Sequence, residues 1–395
     1  MRFAERVFAL QGESAFDVLS KVQRMERDGR DVVSFAIGEP DFDTPEHIKA
    51  AGIRAIEENH THYTPSAGIL PFREAIARYV ERTRGIDVSP DEVVVTPGAK
   101  PILFCGILCC VNPGDEVLTP SPGFPTYESV IRYAGGVPVP LPFVEEKNFS
   151  FDTETFRRLV TPKTRMVLLN FPHNPTGGVA SREDLEAVAA IAREKDLWVL
   201  SDEIYREMAY EGDVPSIASL PGMKERTIIL DGFSKTYAMT GWRLGFAVLP
   251  RELAAHVTKL VTNSVSCTAA FVQMAGIAAL EGPQDAVRSM VAEYRARRDL
   301  LCDALATLPG VVCQKPRGAF YAYANVTEAC RRLGVSDSRA FQEKLLEEAG
   351  VAVLSRNCFG SRNVGEDQEY VRFCYATSRE RIAEGLRRIR EFLEK

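Results

Sequence analysis

The sequence predicts an α/β protein with a mostly parallel central sheet in a large domain and a smaller α+β domain drawn from both termini. Three observations predict it. Short β-branched runs alternate with helical stretches from about residue 70 to 250, the texture of strands joined by crossover helices. Past about residue 285 the texture changes to long charged helices separated by short strands. The chain, 395 residues with 45% hydrophobic and 26% charged side chains, is far too apolar to be disordered. At roughly 100–200 residues per unit it has room for two to three.

Taken in order, the strand-like runs are 92–96, 116–119, 137–141, 165–170, 197–201, 227–230 and 243–249. The 181–195 stretch between the fourth and fifth reads as a helix, because Ser181 and Asp184 have the spacing of an acidic capping box. Later helices are expected at 287–307, 338–349 and 379–394, and the helix-like 14–28 segment is expected to pack with them. The large domain is therefore expected at 45–285, and the small one at 1–44 plus 286–395.

A net charge of −6 disfavours a partner bound through a phosphate backbone, so no nucleic acid is expected. The longest nearly unbroken apolar run, 102–111, is half of the roughly 20 residues a membrane span needs. The amino terminus mixes Arg and Glu among its apolar residues, unlike a signal peptide. A cytoplasmic protein that binds no membrane is expected, and nine scattered cysteines without a C-x-x-C pair suit reduced thiols. The five histidines lack metal-site spacing, so no metal is expected, and the glycine fingerprints of dinucleotide and P-loop proteins are missing.

Unusual strings stand instead at the carboxyl ends of the expected strands, where open α/β sheets place their ligands. Gly98, Ala99 and Lys100 follow one strand and open a helix, a turn that either aims backbone N–H groups at a phosphate or simply joins strand to helix. Asn174 sits between two prolines in NFPHNPTG, Asp202 and Tyr205 follow an apolar strand, and DGFSKTYAMTGWRLG carries Ser234, Lys235 and Arg243. A lysine grouped with a carboxylate, a phenol, a phosphate-binding turn and an arginine is what pyridoxal phosphate requires.

With the strings IGEPDF (37–42), YTPSAG (63–68) and VRFCYAT (371–377), the chain resembles class I/II aminotransferases of PLP fold type I, closest to the bacterial aspartate aminotransferase-like branch. The resemblance spans nearly the whole sequence. It implies Lys235 as the Schiff-base lysine and proton carrier, with Asp202 on the ring nitrogen. Asn174 and Tyr205 would lie on the phenolic oxygen, and Phe124 would stack on the ring. The phosphate would take the Gly98–Lys100 turn, Ser234, Arg243 and, from a second subunit, Tyr63, which implies a homodimer. Arg372 would grip the substrate α-carboxylate, helped by Gly38 and Asn174.

Two positions bear on the substrate. The Lys100 side chain either reads a side-chain carboxylate or faces solvent, and Arg356, in a long 354–367 loop, either binds a further anion at the pocket mouth or lies exposed. The resemblance implies ping-pong transfer of an amino group from an L-amino acid, aspartate first, to a 2-oxo acid such as 2-oxoglutarate. One alternative is the same cofactor diverted to elimination, replacement or carbon–carbon bond formation. Another is a non-catalytic PLP-binding regulator, for which residues 1–36 leave no room for a DNA-binding domain and the acidic balance is wrong.

Overall fold

The structure is a computed structural model that describes residues 2–10, 12 and 14–395, Ser14 through its backbone alone. Strand β1 (Val33–Ser34) precedes a central sheet built from β2 (Val93–Thr96), β3 (Glu116–Ser121), β4 (Val137–Val144), β5 (Ser150–Phe151), β6 (Thr164–Asn170), β7 (Trp198–Asp202), β8 (Thr227–Gly232) and β9 (Gly245–Val248). Its order is β2-β9-β8-β7-β6-β3-β4-β5. The inner pairs β8-β7-β6-β3-β4 are parallel, while β9 and the edge strand β5 run against their neighbours. Helices cover both faces, so β2 and β8 are buried at every position, and their centres (93–95 and 228–230) are continuous apolar runs rather than alternating ones.

A second, antiparallel sheet is formed from β10 (Val312–Cys313), β11 (Tyr321–Asn325), β13 (Leu354–Ser355) and β14 (Tyr370–Cys374), in the order β10-β11-β14-β13. Between them β12 (Val351–Ala352) pairs in parallel with β1, so residues near the amino terminus complete the carboxyl-terminal layer. Val33 and Phe35 lie in the same buried cluster as Phe341, Leu345, Phe373 and Phe392. The expected helices form at Ser14–Arg27, Arg182–Glu194, Asp285–Leu305, Ser338–Ala349 and Arg379–Leu393. The Ser181 and Asp184 side chains make both bonds of the capping box. All nine cysteines are free. Among the described residues no helix is long and apolar enough to cross a membrane.

Parallel pairing positions the site. Asn170 on β6 is registered with Asp202 on β7, and Asp202 with Leu230 on β8. Three consecutive strands therefore deliver their carboxyl ends, and the loops after them, to one edge.

The packing of the last helix can be tested at Gly385, where an added Cβ would come within 2.5 Å of the fully buried Phe35 ring. Alanine would gain about 1 kcal/mol in helix propensity. Overpacking costs about 1–3 kcal/mol, and a contact this short belongs at the upper end. Gly385→Ala is expected to lower the unfolding free energy in denaturant melts, and an increase would mean that Phe35 can yield.

Candidate active site

A cavity of about 400 Å³ opens at this edge. Of the residues singled out in the sequence, Gly38, Ala99, Lys100, Phe124, Asn174, Asp202, Tyr205, Ser234, Lys235, Arg243 and Arg372 line it. Gly98 lies directly behind the wall, with φ +89°, and a Cβ there would collide with the Arg243 guanidinium. Tyr63 stands apart from the cavity and is 90% exposed in the single chain.

Asp202 ends β7 and is buried. The Tyr127 hydroxyl donates to its Oδ2 at 2.7 Å and the Ile204 N–H to its Oδ1 at 3.2 Å. Burial pushes its carboxyl up to about 6; the two donors pull it back, the Glu203 charge pushes further and the Lys235 charge opposes. Lys235 sits in the single-turn helix Phe233–Thr236 that follows β8, and its Nζ donates to the Gly38 carbonyl at 2.6 Å. Burial lowers its ammonium to about 8, which brings a free amine within reach of neutral pH.

Arg372 projects from β14 and is buried. Its Nη1 donates to Asn174 Oδ1 at 2.9 Å and its Nη2 to the Ala36 carbonyl at 2.5 Å, leaving Nε buried without a partner. The guanidinium lies 4.3 Å from the Tyr321 ring centre and 5.0 Å from that of Phe359, so two aromatic rings fix its plane. Among the described residues no carboxylate pairs with it. An arginine in this setting, with its buried Nε–H unpaired, is suited to an anion. The Tyr205 hydroxyl meets that of Tyr321 at 2.6 Å, and burial holds its pKa well above the usual phenol value, so the hydroxyl keeps its proton.

Arg356 corrects the sequence reading on both counts, since it is neither at the pocket mouth nor exposed. It is wholly buried and paired twice with Glu366, Nε to Oε1 at 2.5 Å and Nη2 to Oε2 at 2.9 Å. Its remaining donors go to the Phe359, Gly360 and Ser361 carbonyls and to Ser121 Oγ. With its donors saturated it has nothing left to offer a substrate, and it fastens the 354–367 loop to the end of β3.

Sequence reasoning passed over Tyr127, Asn170, Tyr321 and Phe359. Asn170 Nδ2 donates to the Asp202 carbonyl at 3.0 Å and its Oδ1 accepts from the Asn174 N–H at 2.9 Å. Asn170 does open the string NFPHNPTG, and Tyr127 follows Phe124 by three residues. A polar residue ending an apolar strand was the available signal for Asn170. Tyr321 and Phe359 depend on the second sheet being laid over the first, which no local pattern reports.

The set fits pyridoxal phosphate. One cavity offers an amine, a buried carboxylate for a ring nitrogen, an aromatic face at Phe124, and a glycine turn with Ser234 and Arg243 for a phosphate. The Gly98 contact shows that the turn closes tightly on Arg243. The chain belongs to the class I and II aminotransferases, matching that family over residues 30–389. It is a pyridoxal phosphate-dependent transaminase. It is similar to the aspartate aminotransferase of Geobacillus stearothermophilus, with 37% identity over 100% of this chain and 99% of that protein. It is also similar to the aromatic-amino-acid aminotransferase 2 of Thermococcus litoralis, with 41% identity over 92% of each. Among solved structures, the aspartate aminotransferase from Thermus thermophilus with maleate superposes at a TM-score of 0.92, with 38% identity over 99% of this chain and 100% of that one.

Two outcomes are expected. Arg356→Ala leaves the largely buried Glu366 carboxylate without its cation, so unfolding free energy should fall by about 3–5 kcal/mol in denaturant titrations. A loss below about 1 kcal/mol would mean that the clasp is dispensable. For Lys235, the amine is neutral above its value near 8. The rate at which cofactor-free protein captures pyridoxal phosphate covalently, read after borohydride reduction by mass spectrometry, should therefore rise with pH and level off just above 8. A rise continuing to about 10, the value of an ordinary lysine, would contradict the buried setting.

Proposed function

We propose a cytoplasmic homodimer that moves the amino group of an L-amino acid, aspartate by preference, to a 2-oxo acid, 2-oxoglutarate by preference, in two ping-pong half-reactions. One juxtaposition carries this reading: the Lys235 amine, the Asp202 carboxylate and an Arg372 guanidinium with a bare Nε line a single cavity.

Pyridoxal phosphate, when bound, supplies an aldehyde that takes up the amino group and a ring that withdraws electrons from the bond being broken. The protein supplies the rest. Lys235 Nζ would hold the cofactor through its aldehyde carbon and, as a free amine, would carry the substrate α-proton as general base and acid. Its lowered proton affinity suits both directions. Asp202, ionised above a pH near 6, keeps a proton on the ring nitrogen. Tyr205, held neutral, and Asn174 would donate to the phenolic oxygen, while Phe124 would pack on the ring. The phosphate end is assigned to Gly98, Ala99, Lys100, Ser234 and Arg243, with backbone donors at the start of the Lys100–Cys110 helix.

Arg372 takes the α-carboxylate, with Gly38 and Asn174 beside it. Lys100 is the candidate reader of a second carboxylate; it lines the cavity with its Nζ 5.1 Å from the Phe124 ring centre. The exposed Tyr63 and the exposed apolar side chains Phe3, Phe8, Ile53 and Ile56 support a second copy that covers apolar surface and brings Tyr63 to the partner's phosphate. The pairing of β1 with β12 supports a small domain of 1–44 plus 286–395 beside a large domain of 45–285.

The test is a panel of amino donors with 2-oxoglutarate and with pyruvate, followed through the cofactor spectrum. Lys235→Ala is expected to abolish turnover. Lys100→Ala should cut kcat/KM about 10- to 100-fold on aspartate, the worth of one charge-assisted hydrogen bond, and leave alanine within about threefold. Equal losses on both donors would reject Lys100 as the reader of the side chain. Failure of every donor to yield pyridoxamine phosphate would reject these amino-group assignments.

A further inference from the structure

One buried cation lies directly behind the site and takes no part in the roles above. Arg84 ends the Leu70–Arg84 helix, and its side chain is wholly inaccessible. Its Nε donates to Glu203 Oε2 at 2.7 Å, its Nη2 to Asp231 Oδ2 at 2.5 Å and its Nη1 to Thr83 Oγ1 at 2.8 Å. The Tyr79 ring lies 5.3 Å away.

The two carboxylates it joins are neighbours of the reactive groups. Glu203 follows Asp202 where β7 ends, and Asp231 stands four residues before Lys235 at the end of β8. Their other oxygens are occupied too: Glu203 Oε1 accepts from Ser201 and Ser216, and Asp231 Oδ1 accepts from the Gly232 N–H. A single guanidinium therefore ties together the two segments that present Asp202 and Lys235, on the side away from the cavity.

Charge matters as much as spacing. Among the described residues Arg84 is the one cation that ion-pairs with these two carboxylates; the nearby Arg206 directs its Nη donors to the Val214 and Thr83 carbonyls. Burial pushes the Glu203 carboxyl up, but the Arg84 and Arg206 charges, with hydrogen bonds from Ser216 and Arg84, together offset this and keep it below its usual range. Burial lifts Asp231 to about 7 despite the same arginine. The groups facing Asp202 itself are Tyr127 from the Thr126–Tyr133 helix, Lys235, and Glu203 and Tyr205 from its own strand exit. The negative charge nearest along the chain is thus Glu203, and Arg84 neutralises it.

We propose that Arg84 is a positioning residue for the cofactor site: by bridging Glu203 and Asp231 it holds Asp202 and Lys235 in register and shields Asp202 from the Glu203 charge. It touches neither cofactor nor substrate. The proposal rests on the assignment of Asp202 and Lys235 given above.

The experiment titrates the visible absorbance of the pyridoxal phosphate-loaded enzyme against pH and measures cofactor affinity by equilibrium dialysis, for wild type, Arg84→Gln, Glu203→Gln and the double variant. Losing the arginine leaves Glu203 unshielded, so Asp202 ionises less readily. In Arg84→Gln the acid limb should move up by about one pH unit, a tenfold change in proton affinity, with cofactor binding weakened about tenfold. Glu203→Gln should move the limb down, and the double variant should return it near the wild-type position. A merely structural arginine would not produce this dependence on the sign of the charge.

The idea is overturned by a folded Arg84→Gln protein whose limb and affinity match wild type, or by a double variant as displaced as the single. If Arg84→Gln does not fold, Glu203→Gln decides alone, and a limb that fails to move down overturns the proposal. A wild-type protein that takes up no pyridoxal phosphate overturns the reading of the site itself, a result distinct from either.

Discussion

A carboxylate kept in a dry place without a cation in contact with it is costly, and the arrangement around Asp202 answers that cost. A buried hydroxyl and a backbone N–H supply the stabilisation that water would otherwise give. Both are donors fixed by secondary structure: Tyr127 by the helix that follows β3, Ile204 by the turn out of β7. A flexible donor would be cheaper to build, but it would lose its geometry each time the cavity changed occupant. The fixed donors keep the acid poised near 6, ionised at neutral pH yet still strongly attracted to a proton on a ring nitrogen.

The parallel sheet makes this economical. Because β6, β7 and β8 run the same way and in register, Asn170, Asp202 and the loop leading to Lys235 arrive together at one edge. Asn170 then acts as a spacer, tied to the Asp202 backbone on one side and to that of Asn174 on the other. The opposite wall comes from the second sheet, whose β14 projects Arg372 onto Asn174. A hydrogen-bonded chain thus runs from the acid at the base of the cavity to the arginine that faces it.

Much of this could be read from the sequence, and the boundary between what was legible and what was not has a physical basis. Residues whose chemistry is local, such as a lysine among small residues after a strand or a carboxylate at the end of an apolar run, stand out because their neighbours along the chain explain them. The strands were legible for the same reason, their apolar runs reflecting burial on both faces. Tyr321 and Phe359, by contrast, function through contact with Arg372 across two sheets. Arg356 shows the reverse error. An arginine in a long polar loop looks like a surface anion binder until Glu366, ten residues on, folds back and takes its charge. Loop ion pairs of that kind leave no periodic trace.

Arg372 is also a joint. In this structure its two terminal nitrogens hold Asn174 and the Ala36 carbonyl, so the same side chain that would receive a carboxylate also fastens β14 to the central sheet. A mutation that strengthened the grip on one ligand would alter the mechanical seat of the whole carboxyl-terminal layer. Divergence toward new substrates is therefore channelled away from this position and onto the opposite rim of the cavity, where side chains can be exchanged without disturbing how the two layers meet.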